Sequence, residues 1–176
     1  MQKVLRWEKG VERYKKEDEK IKIEKPERCK KCGCKKFHKW GKYERYIISE
    51  EGDERIKIRR IRCVKCGKTY SYLPSFCISG MCYSLDFVIK ILKALILKIK
   101  FSFGDLRRRA YEFLRRFLQS ENLFVVFLRA KGVWDFHCDR QKRLKKILKG
   151  LLKFYENGSL LSEFLKETGQ HFLSAK

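Results

Sequence analysis

Apolar positions along the chain change their period once, close to residue 84. From Phe37 to Ile48 the chain carries Tyr43, Tyr46, Ile47 and Ile48 among cations, Ser49 to Glu54 supplies turn residues, and Arg55 to Arg62 returns. Two β-strands joined by a turn are the expectation. In the returning strand Ile56 and Ile58 alternate with Lys57 and Arg59, but Ile61 falls out of that alternation after Arg60. This predicts a bulge or a sharp twist near Arg59 and Arg60.

Beyond Tyr83 the period becomes helical. Ser84 reads as an N-cap, and Leu85, Val88, Ile89, Leu92, Leu95, Ile96 and Ile99 then share one face. Ser102-Phe103-Gly104-Asp105 resembles a capping box and announces a second helix. Its apolar stripe is Leu106, Ala110, Phe113, Leu114 and Phe117, and Arg108, Arg109, Arg115 and Arg116 share the opposite, exposed face. Further helices are expected over about Ser120 to Ala130, Val133 to Glu156 and Ser159 to Thr168, with Gly132, Gly158 and Gly169 as stops. Leu123 to Leu128 reads equally as a buried strand. The N-terminal residues 1–25 are mostly Lys and Glu with scattered apolar side chains, and are expected to form a peripheral arm with at most a short strand at Ile21 and Ile23. The fold class is α+β: arm 1–25, a small β unit 26–83 and a helical domain 84–176.

Charge alters this picture. The 176 residues carry 44 Lys and Arg against 21 Asp and Glu, a formal net charge of +23. Residues 1–83 hold 24 basic against 12 acidic residues and residues 84–176 hold 20 against 9, so the excess belongs to both halves. A polyanionic partner is the natural inference. With 44% hydrophobic and 14% aromatic residues, the chain has too much apolar material for a disordered basic tail. The N-terminus lacks the apolar run of a secretory signal, and Leu85 to Phe101, the most apolar stretch, is interrupted by four lysines. A cytoplasmic protein with no membrane span is expected.

The chemistry is carried by Cys29-Lys30-Lys31-Cys32-Gly33 and Cys63-Val64-Lys65-Cys66-Gly67, two C-x-x-C-G copies with 30 residues between Cys32 and Cys63. Thiolates three positions apart bind one metal while the turn aims backbone N–H groups at sulfur, and the following glycine relieves the turn. A hairpin between the copies would bring them together and close a four-sulfur site around one structural Zn²⁺, with no open position for catalysis. A dithiol redox pair would instead need one C-x-x-C ahead of a helix in a βαβ pattern. Cys34, Cys77, Cys82 and Cys138 lack a partner at ligand spacing and read as small buried hydrophobes, with Cys34 able to exchange for Cys32. His38 reads as a strand histidine. Trp134 to Asp139 looks like a metal cluster on paper, but its acids read as residues favoured at a helix N-terminus.

These motifs, with Lys39-Trp40-Gly41-Lys42-Tyr43-Glu44-Arg45, the run Ile58 to Ser71 and Leu73-Pro74, resemble the N-terminal zinc ribbon of bacterial insertion-sequence transposases and of uncharacterised transposon-associated proteins built like them. The resemblance is specific over about residues 27–76 and weaker to about residue 119. It implies that Cys29, Cys32, Cys63 and Cys66 are the ligands, and that the helices starting at Ser84 and Ser102 take the place of DNA-binding helices. Full transposases add a catalytic domain with acidic ligands. The 110 residues after Cys66 read helical throughout, so no nuclease core is expected. Between Phe101 and Gln119 there is little space for two helices and a turn, and one continuous basic helix is the simpler reading.

The sequence therefore predicts a non-enzymatic, zinc-ribbon nucleic-acid-binding protein for double-stranded DNA of a mobile element, nucleoid-associated in the cytoplasm. Arg59, Arg60, Arg62, Arg108, Arg109, Arg115 and Arg116 are the expected contacts. The alternatives are an assembly module that partners a transposase or self-associates, an RNA-binding protein, and a degenerate transposase fragment.

Overall fold

A computed structural model describes the chain except for residues 8, 19, 103, 134–139 and 174–176. The Trp134 to Asp139 stretch, Cys138 included, and Phe103 thus lie outside the described residues. The fold is α+β: a four-stranded sheet, then a bundle of helices.

Strand β1 (Gln2–Leu5) is followed by helix α1 (Gly10–Glu17), then by β2 (Phe37–Ile48), β3 (Asp53–Cys63) and β4 (Thr69–Pro74) in the order β1-β4-β3-β2. β1 runs parallel to β4 with Val4 opposite Leu73, and the other pairs are antiparallel. Residues expected to form a peripheral arm thus supply a sheet strand and a covering helix. Val11 and Tyr14 of α1 are buried among Ile47, Ile56, Ile58 and Leu73, because only on the sheet can this charged segment bury its few apolar side chains. No strand forms at Ile21 and Ile23. Asp18 pairs with Lys42 of β2 at 3.0 Å, Ile21 packs on the cluster beneath α1, and Ile23 packs on the cluster of the opposite face. The chain therefore crosses from one face of the sheet to the other beside β2.

This two-faced burial explains Ile61. Successive strand residues point to opposite faces. Ile56 and Ile58 bury beneath α1, whereas Ile61 and Cys63 bury on the other face with Phe37, Tyr70 and Tyr72. Strand β3 stays regular and simply changes which face is covered. The irregularity lies in its neighbour: Lys39 pairs with Ile61 and Lys42 with Arg59, so Trp40 and Gly41 oppose Arg60 alone. Gly41 takes φ +74°, a left-handed conformation that glycine adopts without strain.

Residues 73–78 are buried as the chain leaves the sheet. Phe76 and Cys77 belong to the core under α1, while Ile78 and Met81 belong to the core of the bundle. Arg45 of β2 fastens this passage by donating to the carbonyls of Ile78 and Met81 at 2.6 and 2.5 Å. Helix α2 (Leu85–Leu97) then starts at Ser84, whose hydroxyl accepts from the Phe87 amide at 3.3 Å. More of α2 is buried than one stripe, with Phe87, Ile91 and Ala94 included, while Ile99 is exposed.

Helix α3 (Arg107–Gln119) follows a 3-10 turn at Gly104–Leu106, and its cap is Leu106 with no side-chain hydrogen bond. The capping box expected at Ser102 is therefore not what begins this helix. Ala110, Phe113 and Phe117 are buried as the stripe predicts. A break at Ser120 separates α3 from α4 (Glu121–Ala130), so Leu123 to Leu128 is helical. α5 (Arg140–Glu156) and α6 (Leu160–Thr168) complete the bundle around Phe117, Phe124, Phe127, Phe164 and Phe172. Among the described residues, no helix is long and apolar enough to cross a membrane.

Candidate metal centre and basic surface

Both cysteine pairs sit in tight turns that the sheet brings together. In the first turn the Gly33 amide donates to the Cys29 carbonyl at 2.8 Å, and in the second the Gly67 amide donates to the Cys63 carbonyl at 3.1 Å. Gly33 and Gly67 have φ of +69° and +68°, the region where a side chain is strained. Pairing of Phe37 with Cys63 across β2 and β3, and the Val64 amide bonded to the Lys36 carbonyl at 3.1 Å, set one turn against the other.

The four sulfurs of Cys29, Cys32, Cys63 and Cys66 lie within 4.8 Å of one another. Cys29 Sγ is 3.6 Å from Cys66 Sγ, and Cys32 Sγ is 3.5 Å from Cys63 Sγ. A tetrahedron with metal–sulfur bonds of 2.3 Å has edges of about 3.8 Å, so the four thiols already have the spacing of a closed four-sulfur site. This cluster can hold a metal ion.

Electrostatics supports the same use. A hydrogen bond from the Tyr70 hydroxyl, 3.3 Å away, is the main influence holding the Cys29 thiol down to about 6. At Cys32 the Cys34 amide lowers the pKa, but burial and hydrogen bonds with the other three thiols outweigh it and push the group up to about 12. Four thiols this close cannot all ionise unless a cation shares their charge.

The remaining expected sulfur and imidazole candidates stand apart. Cys34 Sγ accepts from the Lys36 amide at 3.4 Å, outside the four-sulfur cluster. Among the described residues, Cys77 alone of this set fits the expectation of a buried hydrophobe, with burial pushing its thiol up to about 12. Cys34 is half-buried and Cys82 is exposed. His38 is exposed and meets the Trp40 ring edge-on at 5.6 Å.

The seven arginines nominated from sequence are in different circumstances. On β3, Arg59 donates to the Ile21 carbonyl at 2.6 Å, and the Arg60 guanidinium lies 5.5 Å from the Tyr43 ring. Arg62 is stacked 4.2 Å over Trp40 and donates from Nε to the Gly67 carbonyl at 3.1 Å, so it braces the second cysteine turn. Alternation places Arg59 on one face of the sheet and Arg60 and Arg62 on the other. On α3, Arg108 and Arg109 are exposed. Arg115 and Arg116 both pair with Glu112 at 2.8 Å, and these hydrogen bonds hold the Glu112 carboxyl down to about 2. The arginine face is thus partly neutralised by its own helix.

Tyr70 is the site residue that the cysteine spacing does not reveal. Its position opposite Ile61 on β4 turns its ring into the core beneath the metal cluster, where its oxygen also accepts from the Lys30 amide at 2.9 Å. The one sequence signal is its place in the strand leading away from Cys66.

No curated protein and no solved structure matches the chain. Residues 29–105, from the first cysteine through α2, match a family model described as a domain of unknown function, DUF6431.

Proposed function

We propose that the chain is a non-enzymatic zinc-ribbon protein that binds nucleic acid, with duplex DNA of a mobile element as its target. The single observation that carries this reading is the net charge of +23 spread over both halves of a chain whose metal-binding cluster is closed. A four-sulfur set with soft donors at tetrahedral spacing is the donor set of structural zinc. Arg108 and Arg109 on α3 offer phosphate contacts, and the transposon connection rests on the resemblance of residues 27–76 to transposase ribbons.

Binding by phosphate neutralisation releases counterions, so log K for duplex DNA falls with log salt by about 0.9 per contact. Titration of the full chain with duplex DNA and with single-stranded RNA over a range of salt tests the reading. A steep slope with tighter binding to duplex supports it, and a flat slope sinks it. The reverse preference moves the target to RNA.

An assembly role is the second reading. It is favoured by apolar side chains left on the bundle surface: Tyr111 is 60% exposed and Val126 52%. Comigration with a transposase subunit, or self-association that persists at high salt, would support it over DNA binding.

A further inference from the structure

Where the chain crosses beside β2, a cleft of about 710 Å³ opens between residues 20–25 and the bulged strand. One wall brings Lys20, Lys22 and Lys25, and the other brings Lys39, Arg59 and Arg60. Ile21, Ile23 and Ile61 supply its apolar lining. Among the described residues no carboxylate lines it: Asp18 nearby is paired with Lys42, and Glu24, exposed in the 20–25 segment, is not part of the lining. Arg59 and Arg60 each keep a buried Nε without a hydrogen-bond partner. The bulge at Trp40 and Gly41 adds a residue to this edge just where the cleft lies.

We propose that this cleft takes the phosphodiester backbone of an unpaired nucleic-acid strand, an inference that rests on the nucleic-acid reading above. Cations concentrated along a lining that holds no carboxylate favour a partner that brings several negative charges at once. Shape then selects among polyanions. Proteins read a duplex with elements that project into its grooves, whereas a concave site of the volume that holds a small-molecule ligand admits a chain only one strand wide. Lysines act on phosphate as mobile point charges and tolerate any base sequence, and a groove of cations that tracks the backbone is how unpaired strands are held. The apolar lining gives sugar and base edges a surface to cover. Such a site suits a protein that meets DNA at a junction between paired and unpaired segments.

The test compares a blunt duplex with the same duplex carrying a short unpaired tail, both titrated with the full chain over a range of salt. The tail should steepen the salt slope by about 1.4 units if two further phosphates of the unpaired strand are neutralised, at about 0.7 each. Lys22 and Lys25 are both exposed, so K22A/K25A should leave the fold intact, remove the extra slope and leave blunt-duplex binding as it was. R108A/R109A should weaken both DNAs alike. Equal slopes for the two DNAs, or a K22A/K25A loss shared by both, would overturn the cleft while leaving duplex binding standing. Failure of the blunt duplex to bind overturns the wider reading, and the cleft then depends on a single-stranded oligonucleotide of the tail sequence, whose binding must vanish in K22A/K25A. Displacement of that oligonucleotide by poly-glutamate as readily as by polyphosphate would show attraction to any polyanion and overturn the proposal.

Discussion

The hydroxyl of Tyr70 donates to the sulfur of Cys29 at 3.3 Å and accepts from the amide of Lys30 at 2.9 Å, so one side chain from β4 fixes both the charge and the turn of the first ligand pair. Removing that oxygen leaves the ring in place and deletes only the polar contacts. Groups that hydrogen-bond to metal ligands typically change affinity 10- to 100-fold. Tyr70→Phe is expected to retain metal but release it to a competing chelator at about 10-fold lower chelator concentration, and an unchanged competition curve would deny Tyr70 this role.

Cluster membership separates the cysteines sharply. Cys63→Ser is expected to lose its metal and with it the ordered sheet, because metal binding to a closed site is coupled to folding by roughly 10 kcal/mol or more. Cys34→Ser should keep about one zinc per chain, since its sulfur lies outside the four-sulfur set. Elemental analysis of both variants decides the matter, and full zinc in Cys63→Ser would refute the assignment.

The two knuckle glycines differ in surroundings though not in backbone. A Cβ on Gly33 would meet nothing within 4 Å, whereas one on Gly67 would lie 2.9 Å from Arg62 Nη2. Gly33→Ala should cost about 1–2 kcal/mol for the left-handed conformation alone. Gly67→Ala should cost more, because the guanidinium stacked on Trp40 must also give way. Chemical denaturation of both variants checks the order, and equal losses would remove Arg62 as a brace.

Tyr14 tests whether the N-terminal segment belongs to the sheet. Its ring is fully buried, meets Trp7 and Phe76 edge-on at 5.5 and 5.6 Å, and its hydroxyl donates to the Lys57 carbonyl at 3.1 Å. Tyr14→Ala should destabilise the protein by about 3–5 kcal/mol, and Tyr14→Phe by about 1 kcal/mol. A neutral Tyr14→Ala would mean that residues 1–17 are held only loosely.

Glu112 sets the charge of the α3 face. Its carboxyl is held at about 2, against an ordinary 4.5, by hydrogen bonds from Arg115 and Arg116. A carboxylate depressed in the folded state stabilises above the ordinary value and loses that contribution as pH falls through the folded one. Stability should therefore drop between pH 4.5 and 2 in the native protein, and Glu112→Gln should lack this component. At neutral pH the same substitution frees two guanidinium groups and should steepen the salt slope for duplex DNA by about one unit or more. An unchanged slope would place these arginines outside the contact surface.

How legible this was depends on whether the signal is local. The cysteine spacing, the bounds of β2 at Phe37 and Ile48, and the Ser84 start of α2 are all written within a few residues of where they act. Strand β1 escapes such a reading because Gln2–Leu5 becomes a strand only by pairing with Ser71–Pro74, far along the chain. Ile61 misleads for a related reason: alternation is judged against one buried face, and this sheet buries opposite faces at its two ends. The pairing of Glu112 with Arg115 and Arg116 was readable from spacings of three and four on a helix. The cleft was not, because its lysines gather only when residues 20–25 return beside β2.

The bulge in β2 bears on how the molecule avoids its own copies. β2 is an outer strand of the sheet, and an outer strand with unpaired amides and carbonyls invites another chain to extend it. Its far end is occupied within the molecule, where the Ile48 amide and carbonyl bond to Cys82 and Ser84. Near its start it is kinked at Trp40 and Gly41 and flanked by Lys39 and Lys42, so an incoming strand would find a broken hydrogen-bonding ladder and positive charge there. The same local distortion that borders the cleft thus guards the sheet against edge-to-edge growth, and straightening it by deleting Gly41 would restore a continuous ladder to this edge and leave only the charge of Lys39 and Lys42 to protect it.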